Sequence, residues 1–314
     1  MVDFIVQVLF LLVFLAFFYG ACAGVQVSQL RPGMRYVIIG LFATVGALVI
    51  LLGLLSLAAP AVVAPRQGRL LLALGAATIL PLLRPVRRLV ARLTPMDPDS
   101  TIDVSGLVVL GWLFVALGTV LFTINLDEIA GSVKLTIADA LANALAYPAL
   151  GFSLVGVFIT RNWRESVKRL GLGRLGPQQA AVALGLVAPL LAVSYASDFV
   201  GRALQPQLYA KVDLIINLMS SVVTNPLIAV VLGLATGTGE EILFRGAVQP
   251  RYGIVLSALA WAVLHSQYGA SFAIAGIFVT GIVLGFQRKY LNTTACIITH
   301  AAYNTIAFML NAGG

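Results

Sequence analysis

The sequence predicts an all-α fold, a polytopic bundle of transmembrane helices with about ten spans. Of its 314 residues, 60% are hydrophobic and only 10% are charged, whereas a soluble globular domain carries about 25% charged residues. Uncharged runs long enough to cross a bilayer recur along the chain. The basic residues collect in the segments between these runs, as in a multi-span membrane protein.

The first predicted span covers residues 4–24 and contains no Asp, Glu, Lys or Arg. A run of about 20 apolar residues matches the thickness of the hydrocarbon core. A cleaved signal peptide would begin with basic residues, but the only charged residue before this run is Asp3. The segment is therefore predicted to be retained as a span.

Further runs with few or no charged residues predict spans at 36–59, 68–83, 104–126, 140–160, 178–198, 226–249, 253–267, 270–287 and 292–310. The run at 68–83 is short and contains Pro81, so a half-span is the alternative there. If the N-terminus faces outward, 14 of the 20 basic residues are cytoplasmic, five lie on the opposite side and only Arg245 is inside a span. This excess agrees with the positive-inside rule. We therefore attribute the net charge of +8 to topology and expect no nucleic-acid partner.

Two segments of the chain are rich in basic residues. Residues 85–93 alternate basic and apolar residues at helical spacing, which predicts an interfacial helix on anionic lipid. Residues 161–176, rich in Gly, Arg and Lys, separate the first five spans from the last five. We place a boundary there, with an N-terminal transmembrane region of unassigned role at 1–160 and a core at 177–314. The Ala-, Leu- and Gly-rich composition indicates a bacterial inner-membrane protein.

Three ionisable residues lie together inside the predicted span at 226–249, in the sequence Glu240-Glu241-Ile-Leu-Phe-Arg245. Each such residue costs roughly 3 kcal/mol at the bilayer centre unless it is paired or faces a polar cavity. Glu241 and Arg245 are four residues apart and are expected to form an ion pair. Glu240 points about 100° away around the helix and needs another partner.

Both histidines of the chain, His265 and His300, lie in later apolar runs. At roughly 1.5 Å per residue, Glu240, His265 and His300 are about 13, 18 and 12 Å from the inner ends of their spans. Asn304 lies one helical turn beyond His300 on the same face. These four side chains are therefore predicted to converge at one depth in the membrane.

One carboxylate, two imidazoles and one amide suit amide hydrolysis, which needs an activated water and donors to the oxyanion. Glu240 could accept the proton of the water and Asn304 could stabilise the oxyanion. The two imidazoles could either bind a metal ion or donate hydrogen bonds. The alternative functions are a transporter or proton-relay channel, because buried Glu and His also form relays, and a non-catalytic immunity or scaffold protein. Clustering of the polar residues at one level favours hydrolysis.

Three motifs carry a resemblance to a known family: Glu240-Glu241-x-x-x-Arg245, Trp261-x-x-x-His265 and His300-x-x-x-Asn304. In order and spacing they are similar to the motifs of the CAAX protease and bacteriocin-processing family of intramembrane metalloproteases, also called CPBP or Abi-type. The resemblance covers about the last 140 residues of the chain.

The resemblance implies an intramembrane endopeptidase that acts on membrane-embedded or lipid-anchored peptides. It implies the catalytic residues Glu240, His265, His300 and Asn304, with Glu241 and Arg245 in structural support. Trp261, where the family more often has Phe, is expected to line the substrate groove. The implied cofactor is a divalent metal ion, expected to be zinc and to be bound by His265 and His300, and the alternative is a metal-free glutamate mechanism.

Overall fold

The structure is a computed structural model that describes residues 2–58, 65–126 and 136–312. These ranges are folded into helices joined by turns, and the predicted all-α fold is confirmed. The chain forms two compact units. One contains the residues up to 22 and those from 124 onward, and the other contains residues 23–123.

The smaller unit follows the first helix, α1 (Val2–Val27), and contains α2 (Gly33–Ala58), α3 (Pro65–Ile79), α4 (Arg84–Leu93) and α5 (Thr101–Thr123). Trp112 on α5 donates a hydrogen bond to the hydroxyl of Thr78 on α3, at 2.8 Å. A 3₁₀ turn at Leu80–Leu82 follows α3, and α4 is bent by 80° from the helical run before it. A helix is thus present where the interfacial helix at 85–93 was predicted.

The larger unit contains the remaining helices: α6 (Ile137–Leu154), α7 (Trp163–Arg169), α8 (Pro177–Gly185), α9 (Val187–Leu204), α10 (Pro206–Ser220), α11 (Pro226–Glu241), α12 (Gln249–Val263), α13 (Phe272–Tyr290) and α14 (Thr293–Ala312). A π-helix, Ile242–Val248, joins α11 to α12. A 3₁₀ turn, Ser266–Tyr268, separates α12 from α13.

A reversal of the chain at Gly253 places two of the predicted spans side by side. Gly253 has φ +77°, a conformation that glycine adopts without steric cost. Beyond it the chain runs back along the π-helix, and the Ser257 hydroxyl donates to the carbonyl oxygen of Phe244 at 3.0 Å. The predicted turn between 249 and 253 is therefore present, and residues distant in sequence meet across it.

Two glycines bring α11 and α14 into backbone contact. A Cβ added at Gly237 would lie 2.7 Å from the amide nitrogen of Ala301, and one added at Gly233 would lie 2.8 Å from its carbonyl oxygen. Small residues four apart commonly allow such close packing of helices in membranes. The close packing places the end of α11, with its two glutamates, beside the middle of α14.

The number of ten spans is not confirmed. Six helical runs are long and apolar enough to cross a membrane: Val8–Val27, Gly33–Ala58, Thr101–Thr123, Pro177–Leu204, Pro226–Val263 and Phe272–Tyr290. The bent pair Pro65–Leu82 and Arg84–Leu93 would make a seventh if it counts as one span. The predicted span at 226–249 and most of that at 253–267 fall within one of these runs, Pro226–Val263. A multi-pass membrane protein remains the architecture that these helices support.

Residues 161–176 lie inside the larger compact unit, where they form α7 and the turn that follows it. The predicted boundary at this segment separates the first five predicted spans from the last five. The N-terminal region at 1–160 and the core at 177–314 stay a prediction.

Candidate active site

The two adjacent glutamates end α11, and the chain continues directly into the π-helix. All seven residues from Ile242 to Val248 are buried. The sequence predicted one α-helix as far as Gln249, whereas this part of the helix has the wider π geometry. Segments of π-helix are rare and are often found at functional sites. This change of winding follows immediately after the residue predicted to be the catalytic base.

Glu241 has two partners. The expected ion pair is present, with Arg245 Nε 3.3 Å from Glu241 Oε2 and both side chains fully buried. The other carboxylate oxygen, Oε1, lies 2.9 Å from His300 Nδ1. Because a carboxylate only accepts hydrogen bonds, Nδ1 carries the proton of this contact and Nε2 is the ring nitrogen left for chemistry. A carboxylate that orients a histidine in this way fixes both its tautomer and its ring plane.

Trp261 contacts Glu240, Arg245 and both histidines. Its indole N–H donates to Oε2 of Glu240 at 2.5 Å, and the Arg245 guanidinium lies over the ring, 5.0 Å from its centroid. The rings of His265 and His300 meet it edge to face, at centroid distances of 5.2 and 5.4 Å. The hydrogen-bond partner of Glu240 is thus the indole of Trp261. The contact of Trp261 with substrate in a groove stays a prediction.

His265 lies just beyond the end of α12, before the 3₁₀ turn. Its Nδ1 is 3.0 Å from the carbonyl oxygen of Trp261, one helical turn earlier. Because a carbonyl oxygen accepts, Nδ1 carries the proton in this contact. Nε2 of His265 is therefore unprotonated when the ring is neutral.

Asn304 is held by a hydroxyl from the facing helix. Its Nδ2 donates to Thr236 Oγ1 at 3.0 Å, and the Thr236 hydroxyl in turn donates to the carbonyl oxygen of Leu232 at 2.8 Å. Since the hydroxyl proton is committed to Leu232, the oxygen of Thr236 can only accept from Asn304. One N–H of the Asn304 amide remains to be donated elsewhere.

The predicted residues Glu240, Trp261, His265, His300 and Asn304 all line one cavity of about 680 Å³. Side chains from α9, α10, α13 and the end of α14 complete its wall. The other polar lining residues include Ser194, Asp198, Arg202, Asp213, Asn217, Thr236, Tyr268 and Tyr303. Glu241 and Arg245 are buried behind this wall and do not line it.

Two parts of this site were not predicted from the sequence. Thr236 lies four residues before Glu240, so helical spacing alone places it on the same face. The helix α10 was not predicted, although Pro206 is a typical first helical residue and Tyr209, Val212 and Ile215 follow at helical spacing. Both signals were present in the sequence.

The predicted metal site can be compared with the donors present. In the described ranges, no three His, Cys, Asp or Glu side chains group together in a way that could hold a metal ion. Hydrolytic zinc sites usually have three protein ligands and one open position. The available donors are Nε2 of His265, Nε2 of His300 and a carboxylate oxygen of Glu240, and they do not form such a set. Zinc binding stays a prediction.

Comparison with known proteins gives one family match. Residues 222–306 match the Rce1-like family, described as type II CAAX prenyl endopeptidase Rce1-like. No curated protein and no solved structure matches the chain significantly. The matched range contains all three motifs. The resemblance found in the sequence is therefore confirmed over residues 222–306, which are similar to the Rce1-like family of type II CAAX prenyl endopeptidases.

Proposed function

We propose that this protein is an intramembrane endopeptidase in which Glu240 activates water for attack on a peptide bond. The observation that carries the proposal is the convergence of Glu240, His265, His300 and Asn304 on one cavity within a bundle of apolar helices. The match to an endopeptidase family over the same residues supports it.

In the first step, the water oxygen bonds to the carbonyl carbon while a water proton moves to Glu240. Trp261 holds Oε2 of the carboxylate, so Oε1 is the natural acceptor of that proton. Nε2 of neutral His265, with Nδ1 committed to Trp261 O, can accept the second hydrogen bond of the water. Two acceptors would thus orient the nucleophile.

The oxyanion that forms needs donors. Asn304 supplies the N–H that Thr236 does not use. His300, whose Nδ1 is held by the Glu241 carboxylate, can donate from Nε2 when it is an imidazolium. Removing one such donor from an oxyanion site typically lowers the rate by about 10²–10³.

In the second step, the C–N bond breaks and Glu240 returns its proton to the leaving amine nitrogen. One water molecule is consumed, and one new carboxyl and one new amino terminus appear. Glu240 ends as the carboxylate with which it began, so the same group acts first as base and then as acid.

The proposed substrates are membrane-embedded or lipid-anchored peptides, because the cavity lies among helices that lipid would surround. Its volume, about 680 Å³, is in the range of sites that enclose a small ligand or a few residues of a peptide.

We propose the inner membrane of a bacterium as the location. Metal assistance through Nε2 of His265 and His300 is a separate proposal, and none of the steps above depends on it.

The deciding experiment compares wild type with Glu240→Gln in proteoliposomes. Peptides carrying a C-terminal CAAX sequence, with and without the prenyl group, serve as substrates, and new termini are identified by mass spectrometry. Glutamine keeps the shape of the side chain but cannot accept the proton, so cleavage should fall by at least about 10²-fold. The surface variant Glu165→Gln is the control and should cleave normally.

Comparison of peptide termini in membranes that contain either protein extends the test to unknown substrates. A terminus formed by wild type and absent with Glu240→Gln identifies a substrate. Cleavage by Glu240→Gln above about one tenth of the wild-type rate would exclude Glu240 as the base.

A further inference from the structure

Three segments of the larger unit meet at one of its ends. Thr293 N–H donates to the carbonyl oxygen of Gly171, and Gly173 N–H donates to the Thr294 hydroxyl, both at 3.0 Å. Arg169 Nη1 donates to the carbonyl oxygen of Gly246 at 3.4 Å. The turn after α7, the π-helix and the start of α14 are thus joined there.

This end of the unit is strongly basic. The basic face, as we call it, consists of Arg161, Arg164, Lys168, Arg169, Arg174, Arg251, Arg288 and Lys289. The surrounding segments 155–176, 246–253 and 286–296 contain one acidic residue, Glu165. That carboxylate accepts a hydrogen bond from the backbone of Asn162 in the N-terminal cap of α7. These segments thus carry eight basic residues and one acidic residue.

Exposed aromatic rings lie beside the basic face. Phe158 is 74% exposed and Trp163 is 53% exposed. Phe158 has φ +59°, which is unusual for any residue except glycine. Its N–H donates to the carbonyl oxygen of Arg161 at 2.7 Å, which holds the loop in this conformation. Trp163 stacks on Phe152 at a centroid distance of 4.7 Å, so its ring is fixed in place.

An exposed aromatic ring is favoured at the headgroup level of a bilayer, and basic side chains are attracted to anionic lipids. The two features therefore point to one kind of partner.

We propose that the basic face binds the headgroup phosphates of anionic phospholipids, with Phe158 and Trp163 inserted at the headgroup level. The lysine and arginine side chains provide charge and donors for phosphate oxygens. This proposal does not depend on the proposed peptidase activity.

Quenching of Trp163 fluorescence tests it directly. The protein is placed in nanodiscs with equal mole fractions of phosphatidylcholine and phosphatidylglycerol, and either one or the other lipid carries brominated acyl chains. The chain has three tryptophans, so the Trp163 signal is the difference between wild type and Trp163→Phe. Brominated phosphatidylglycerol should quench this signal at least about twice as strongly. Equal quenching by the two lipids would overturn the proposal, as would no quenching by either.

Charge variants assign the preference to the basic face. Arg164, Lys168 and Arg174 are exposed, and their combined change to glutamine should remove the preference, because each surface charge contributes about fivefold. The matched control changes the exposed residues Arg31, Arg66 and Arg69 to glutamine, with the same loss of charge elsewhere, and should keep the preference. A preference unchanged in the first variant, or lost equally in both, would contradict the assignment. Neither measurement depends on peptidase activity, so a negative result for lipid binding would not contradict the proposed function.

Discussion

Nδ1 of His300 lies 2.9 Å from Oε1 of Glu241, so the glutamate next to the proposed base holds a histidine of the same site. The other oxygen of this carboxylate faces Arg245 at 3.3 Å. We therefore expect Glu241 to have two roles, to position His300 and to pair with Arg245. The two roles can be separated by experiment.

Glu241→Ala should lower the folded yield and the melting temperature, because Arg245 would remain as an unpaired buried charge. Breaking one side of a buried pair costs about 3–5 kcal/mol. The double variant Glu241→Gln with Arg245→Met removes both charges and should recover most of the stability, measured by thermal unfolding in detergent. Its cleavage rate should stay low, because His300 has lost its carboxylate. Recovery of activity together with stability would refute the positioning role.

Trp261→Phe should lower kcat about tenfold with little change in KM, because the Glu240 carboxylate loses a charge-assisted hydrogen bond. Phenylalanine keeps a ring against Arg245 and both histidines, so stability should change little. Steady-state kinetics on one peptide substrate measures both parameters. Trp112→Phe is the matched control, since it removes an indole hydrogen bond to Thr78 far from the site in sequence. An unchanged kcat in Trp261→Phe would show that the indole does not position Glu240.

Thr236→Val should lower kcat about tenfold, because the isosteric side chain no longer accepts from Asn304 and the amide can turn. Asn304→Ala should be more severe, by about 10²-fold, as for loss of an oxyanion donor. If Thr236 acts only through Asn304, the double variant should be no slower than Asn304→Ala alone. Additive losses in the double variant would assign Thr236 an independent role.

Metal content distinguishes the two hydrolytic schemes. The zinc hypothesis predicts about one ion per chain in purified protein, lost in His265→Ala and in His300→Ala. Activity should then disappear after chelation and return when zinc is added. Full activity with less than about a tenth of an ion per chain would exclude the zinc scheme and support the metal-free one.

Much of the fold followed from hydropathy, because apolar runs of span length have few other uses. The count of spans did not follow. Hydropathy separates 226–249 from 253–267, but it cannot tell whether they are two full spans or one broken helical run, since that depends on the backbone at Gly253. Hydropathy also does not predict α10, because its mixed composition is too polar for a membrane span.

The four proposed catalytic side chains were brought together by depth alone, because all lie in helices with a fixed rise per residue. Their hydrogen-bond partners could not be foreseen in that way. The pairing of Glu241 with His300, or of Asn304 with Thr236, depends on how far α11 and α14 are rotated and how closely they approach. Spacing along one helix contains no such information.

The close approach at Gly233 and Gly237 has a consequence for how this protein can lose its function. The proposed base lies at the end of one helix and the proposed oxyanion donor lies on the other, and at these glycines a Cβ would come within 3 Å of the facing backbone. A single methyl group at Gly237 would wedge the helices apart and misalign both partners while every polar residue of the motifs stayed intact. Inactive descendants of such a chain could therefore keep all three motifs, and two glycines outside them would be the better indicator of a working enzyme.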